Sequence, residues 1–167
     1  MKNLTISILI LTVVSLASAD LTLTIEGNDY STADLDGLLI ETDGCLDVSA
    51  VMANSGICFD IMFTVLSGDL VLDKIPEFDP LFWTTWIGDE YVPLPGNMIR
   101  ISGGSFTAAP AGTHCFEGLT ITGTSGFVQV EEILSDGITV VTSVFEVPEP
   151  MTIGLLGLGG LFLRRRK

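Results

Sequence analysis

Apolar and polar residues alternate with a period of two along much of the chain. Successive side chains of a strand point to opposite faces, so this alternation predicts strands with one buried face. In the clearest case we expect Phe59, Ile61 and Phe63 to lie in the core. The segments that carry the strong pattern, including a β-branched run at the end, are 21–25, 57–65, 119–122, 128–131 and 138–145.

Weaker strand patterns fill much of the remaining central part. They cover residues 38–41, 46–51, 69–75 and 98–102. Gly-containing turn signals separate the strands, and no segment has a sustained apolar period of 3.6 residues. Roughly eight or nine short strands therefore predict an all-β fold, a β-sandwich first and a barrel second.

The stretch 76–97 differs from its surroundings because it combines four prolines with five aromatic residues. It is typical of a long ordered loop or short helix that closes one end of the sandwich. The alternative is a recognition surface on which a glycan stacks against Trp83 or Trp86.

The first nineteen residues have the organisation of a secretory signal peptide. Lys2 provides the positive n-region, and an apolar h-region follows it. Ala17-Ser18-Ala19 is the small-x-small pattern at which signal peptidase cleaves. We expect removal of residues 1–19, which would leave Asp20 as the new N-terminus.

The other end of the chain combines a proline motif, an apolar run and a cluster of cations. Pro148-Glu149-Pro150 should end the preceding strand, since proline cannot donate to a strand ladder. Residues 151–163 carry no charge, and four consecutive cations follow, which are Arg164, Arg165, Arg166 and Lys167. As a helix, the run would span roughly 20 Å of a hydrocarbon core about 30 Å thick. The cations favour the cytoplasmic side, which places the preceding domain outside.

This tail, residues 148–167, resembles the PEP-CTERM sorting signal, which consists of a Pro-Glu-Pro motif, a short apolar stretch and a terminal Arg cluster. The resemblance implies handling by a membrane transpeptidase of the exosortase class. It also implies export to the cell surface and an association with exopolysaccharide. The apolar run is shorter than is usual for the family. The strand pattern in turn resembles the cohesin-like sandwiches of surface proteins.

Charge is concentrated in the central segment 20–147. This segment holds 20 of the 21 acidic residues, and its only cations are Lys74 and Arg100, which gives a net charge of −18. Such a domain repels phosphate backbones, so we expect no nucleic-acid partner.

Three cysteines lie in the same segment, and export to an oxidising compartment permits disulfides. Cys45–Cys58 and Cys58–Cys115 are both acceptable pairs. Three cysteines cannot all pair within one chain, so at least one remains a thiol or pairs with another molecule.

Signals for catalysis are sparse. The single histidine, His114, is not accompanied by a Gly-x-Ser-x-Gly elbow, and no phosphate-binding glycine loop occurs. Carboxylates are numerous enough that a glycosidase pair stays open. Asp34, Asp36 and Asp43 partly mimic a calcium loop, although Asp34-Leu35-Asp36-Gly37 is equally an ordinary turn.

These observations predict three regions: a signal peptide (1–19), an acidic β-sandwich (20–147) and a sorting tail (148–167) with a short apolar helix. The expected function is that of a non-enzymatic, exported protein of the cell surface or exopolysaccharide matrix, anchored in the membrane through residues 151–163 at least transiently. The alternatives are a secreted polysaccharide hydrolase and a calcium-dependent adhesion module.

Overall fold

A computed structural model describes residues 20–72, 92–94 and 97–149 of the chain. This part contains ten strands and one short 3₁₀ helix, η1 (Thr32–Leu35). The strands are β1 (Leu21–Ile25), β2 (Asn28–Ser31), β3 (Cys45–Met52), β4 (Gly56–Gly68), β5 (Val71–Leu72), β6 (Val92–Leu94), β7 (Met98–Ala109), β8 (His114–Thr122), β9 (Gly126–Ile133) and β10 (Val140–Val147).

The strands form two five-stranded sheets. Sheet A has the order β2-β1-β3-β8-β5, and sheet B has the order β10-β9-β4-β7-β6. Every pairing between these strands is antiparallel. The predicted all-β sandwich is therefore confirmed.

The core lies between the inner faces of the two sheets, where the alternating apolar residues meet. Phe59, Ile61 and Phe63 of β4 are at most 3% exposed, as the alternation predicts. The ring of Phe116 from sheet A packs edge-on against Phe63, with 6.3 Å between the ring centroids. Aromatic contacts of this kind add to the hydrophobic stabilisation of the core.

The first hairpin contains a strand that the sequence pattern did not predict. Ile25 pairs with Asn28, so Glu26 and Gly27 alone form the loop. Both loop residues have positive φ, 51° and 75°, as a two-residue type I′ turn requires. The polar residues of β2 resemble a turn in sequence, but β2 is an edge strand and needs little apolar character.

Two neighbouring strands of sheet B approach closely where β4 ends and β9 begins. A Cβ atom at Gly68 would stand 2.1 Å from the Ser125 carbonyl oxygen, and one at Gly126 would stand 2.2 Å from the Ser67 carbonyl oxygen. Only glycine allows the two backbones to approach this closely. The Asp69 carboxylate joins the same corner, because it accepts hydrogen bonds from the backbone nitrogens of Thr124 and Ser125 at 2.9 and 2.8 Å.

Several predicted boundaries differ from those observed. β4 and β7 have 13 and 12 residues, longer than the predicted strands 57–65 and 98–102. The predicted strand 38–41 is reduced to one parallel bridge between Leu39 and Glu146. The end of the predicted loop 76–97 is wrong, because Val92–Leu94 is a strand paired with Met98–Arg100. The signal peptide, residues 73–91 with Trp83 and Trp86, and the tail from Pro150 onward lie outside the described residues.

Candidate functional site

The sorting tail begins where the last strand of the sandwich ends. β10 ends at Val147, which is 1% exposed, and Pro148 and the exposed Glu149 follow it. The strand therefore stops at the residue before the first proline, as the missing N–H of proline requires. Pro150, Arg164, Arg165 and Arg166 lie outside the described residues.

A second segment holds the end of β10 at the edge of sheet B. The Glu146 nitrogen donates to the Leu38 carbonyl at 2.8 Å, and the Ile40 nitrogen donates to the Glu146 carbonyl at 2.9 Å. On its other side, Glu146 pairs with Phe127 of β9. The last residues before the tail are thus fixed from both sides, and the tail starts from a rigid point.

A surface cavity with a volume of about 550 Å³ lies on sheet B. Among the described lining residues, the one carboxylate is that of Asp60, whose two oxygens accept hydrogen bonds from the Arg100 guanidinium, one at 2.8 Å from Nε. The rest of the lining comes from Gly137 and residues 57–59, 102–105 and 133–135. The cavity therefore holds one ion-paired carboxylate among apolar, thiol, hydroxyl and backbone groups.

A second cavity of about 430 Å³ lies on the outer side of sheet A. Two carboxylates, those of Asp47 and Glu117, belong to its lining. Both residues are exposed.

Among the acids that the structure describes, Glu132 at the end of β9 is the most deeply buried, with 1% of its surface exposed. One oxygen accepts the backbone N–H of Asp20 at 2.8 Å and that of Leu21 at 2.9 Å. The other oxygen accepts the hydroxyl of Thr32 at 2.5 Å. Burial raises the pKa of the Glu132 carboxyl above its usual range, against the opposing effect of these hydrogen bonds.

No disulfide joins the three cysteines. Cys58 lies on β4 of sheet B and is exposed, whereas Cys115 lies on β8 of sheet A and is buried. Cys45 pairs with Thr122 at the opposite end of β8 from Cys115. Burial raises the pKa of the Cys115 thiol, and the nearby charge of Glu132 raises it further.

The three calcium candidates do not gather into a metal site. Among residues 20–72, 92–94 and 97–149, no three His, Cys, Asp or Glu side chains lie close enough together to hold an ion. The Asp34 carboxylate accepts the Ser31 hydroxyl at 2.7 Å, and the Asp36 carboxylate accepts the Val144 nitrogen at 3.3 Å. These hydrogen bonds give Asp34 and Asp36 roles in holding η1 and the edge of β10.

Sequence analysis missed Glu132, although the alternation carried the signal. Val128 and Val130 point inward, and continuing the period by two residues puts Glu132 on the same face. The Asp60–Arg100 ion pair was harder to predict. Its only indication in the sequence was that Arg100 is one of two cations in segment 20–147.

In the described part of the chain, no helix has the length and apolar character needed to cross a membrane. Neither the curated proteins nor the solved structures contain a match to this chain. Residues 146–167, however, match the family of the PEP-CTERM protein-sorting motif, and the match starts inside β10. The chain therefore carries a PEP-CTERM protein-sorting motif. Its first two residues belong to the last strand of the β-sandwich, and the rest follow that strand.

Proposed function

We propose that this chain is a non-enzymatic protein of the cell surface or exopolysaccharide matrix. The sorting motif implies an exported protein that an exosortase-type membrane enzyme processes. The proposal goes beyond this in two respects: the final location is the cell surface or matrix, and the protein has no catalytic activity. The observation that supports it best is the arrangement of the motif, which follows a folded, acidic sandwich and begins at a rigidly held strand.

Charge supports the surface or matrix location. The segment 20–147 carries a net charge of −18, which keeps such a domain soluble at high local concentration. An acidic surface also attracts cations, which acidic polysaccharides bind as well.

The chemistry of the two cavities supports a non-enzymatic role over the polysaccharide hydrolase. The cavity on sheet B has one carboxylate, which Arg100 neutralises, and the cavity on sheet A has two exposed carboxylates. A glycosidase needs one carboxyl group kept protonated beside one kept ionised. If the protein is nevertheless a hydrolase, Asp47→Asn and Glu117→Gln should abolish sugar release from extracellular polysaccharide.

The sorting part is tested by changing Arg164, Arg165, Arg166 and Lys167 together to Ser in the full chain. The expected result is a precursor that keeps its tail or is found in the wrong fraction, because the cations hold the tail at the cytoplasmic face. A matched control changes only the three arginines to Lys, which keeps the charge. Normal processing of the Ser variant would contradict the role given to the cations.

The location is tested separately, by fractionating cells that produce the unchanged protein. We expect the processed protein in the surface or matrix fraction. Accumulation of processed protein in the periplasm or the culture medium alone would contradict the surface or matrix location.

A further inference from the structure

In the part of the chain that the structure describes, no lysine or arginine lies beside the buried acid Glu132. Among the described residues Arg100 is the one lysine or arginine, and it pairs with Asp60 on the other face of sheet B. The three donors to Glu132 are two backbone N–H groups and one hydroxyl, all neutral. An ionised carboxylate buried in this way is costly, because hydrogen bonds replace only part of its hydration.

We propose that signal-peptide removal supplies the missing cation: the α-ammonium group that cleavage creates on Asp20 forms a partly buried ion pair with Glu132. The inference rests on the proposed function, because it requires export and cleavage after Ala19. Before cleavage the nitrogen of residue 20 is a neutral amide. After cleavage the same nitrogen, 2.8 Å from a Glu132 oxygen, carries a positive charge.

The structure fixes this nitrogen in place through the other groups of Asp20. The Asp20 carbonyl oxygen accepts the Ala53 nitrogen at 2.7 Å. The Asp20 carboxylate accepts the Ser135 nitrogen at 2.5 Å. The next residue, Leu21, is fully buried in β1. An ammonium group at residue 20 would therefore meet Glu132 without rearrangement of the sheet.

The surroundings of Glu132 contain few other titratable groups. The Asp20 carboxylate disfavours negative charge on Glu132, and the Cys115 thiol approaches from β8. The short helix η1 contributes the neutral Thr32. Neighbouring strands place Ile61 and Val141 opposite Glu132 in the ladder. The new ammonium group would thus be the positive charge that Glu132 meets among the described residues, beside the negative carboxylate of Asp20.

The pH dependence of the ion pair follows from its two members. An α-amino group has an ordinary pKa of about 7.7–8.0, and pairing raises it in the folded protein. Its stabilisation is therefore complete below about pH 7.7 and is lost as the pH rises through the folded-state pKa. At acidic pH the pair is also lost, once Glu132 becomes protonated. Maximal stabilisation lies between these limits.

The test uses the full-length exported protein and begins with its N-terminal sequence, expected to start at Asp20. One variant inserts a single glycine between Ala19 and Asp20, which moves the α-amine by one residue, about 3.8 Å, and leaves an amide N–H on Asp20. A second variant is Glu132→Gln, which keeps the hydrogen-bond acceptor and removes the charge. A third combines both changes.

We expect the glycine insertion to lower Tm by about 5 °C at pH 7 in the parent protein and much less at pH 10. In the Glu132→Gln protein the insertion should have little effect at either pH. An equal loss in both backgrounds, or an equal loss at pH 7 and pH 10, would overturn the ion pair. If Glu132→Gln does not fold, the comparison between the two pH values decides alone.

The same cells distinguish this inference from the proposed function. C-terminal processing is scored in parallel on the parent protein. Normal processing without coupling between the insertion and Glu132→Gln would overturn the ion pair and leave the proposed function standing. An N-terminus other than Asp20 would overturn the ion pair directly, and retention of the whole precursor inside the cell would overturn both.

Discussion

The backbone of Gly103 lies against the aromatic ring of Phe59, its register partner on the neighbouring strand β4. A Cβ atom at Gly103 would stand 1.9 Å from Cε1 of Phe59. Gly103→Ala should therefore displace a core ring and lower the free energy of unfolding by about 1–3 kcal/mol, as overpacking does. Urea denaturation of the full-length protein measures this loss.

Gly56→Ala is the matched control for Gly103→Ala. Its new methyl group would meet the end of the flexible Met52 side chain at 2.7 Å, which can move at little cost. In the double variant Gly103→Ala with Phe59→Leu, the two losses should be less than additive, because the clash is removed. Additive losses would mean that Gly103 acts through something other than the Phe59 ring.

A second prediction concerns Phe63, which is fully buried and contacts Phe116 across the sandwich. Phe63→Ala should lower the free energy of unfolding by about 3–5 kcal/mol, through lost burial and the cavity it leaves. Phe127→Ala, at a ring that is 41% exposed, should cost much less. A loss below about 1 kcal/mol for Phe63→Ala would contradict the inward orientation of this side chain.

The third prediction is an acid dependence that originates at Asp69. Hydrogen bonds from Ser125 and Thr124 lower the pKa of the Asp69 carboxyl. A lowered folded-state pKa gives stability that is present above about pH 4 and lost as the pH falls through that pKa. Asp69→Asn should thus reduce Tm at pH 7 and weaken the fall of Tm between about pH 4 and pH 2.

Asp136→Asn is the comparison for Asp69→Asn. Hydrogen bonds from Thr139 and Ile138 also lower the pKa of Asp136, but they close only its own turn. Asp69 instead joins segments 55 residues apart in sequence. We expect the smaller loss of Tm for Asp136→Asn. Equal losses would show that the corner at Asp69 adds nothing beyond a local turn.

The fourth prediction concerns ions. A net charge of −18 on segment 20–147 should make Tm rise with salt, because exposed charges more than about 10 Å apart are screened at 0.1 M. Since Asp34, Asp36 and Asp43 belong to no cluster of three metal-ligating side chains in the described part of the chain, sodium and calcium at matched ionic strength should act about equally. A saturable shift at micromolar calcium, lost in Asp36→Asn, would instead establish the calcium-dependent adhesion module.

Sequence predicted the fold class because alternation reports which face of a strand is buried, as Phe59 to Phe63 illustrate. It did not predict β2, since edge strands need little apolar surface and Asn28-Asp29 resembles a turn. Strand ends were also missed, because the contact of Gly68 with Ser125 depends on how β4 pairs with β9, which lies far away in the sequence. Glu132 was not distinguished from the surface acids, because its burial depends on contacts with β1 and η1, which lie about 100 residues away in the sequence.

The joining of both ends of the sandwich to β9 has a consequence for the order of folding during secretion. Glu132 binds the first strand across 111 residues, and β10 completes sheet B with its last eight residues. Contacts between such distant segments form late, after the intervening chain has been ordered. Closure of the sandwich must therefore wait until residue 147 has left the export channel. At that moment the sorting tail is still in transit. Folding of the sandwich and recognition of the tail would therefore occur in close succession, separated by the translocation of only a few residues.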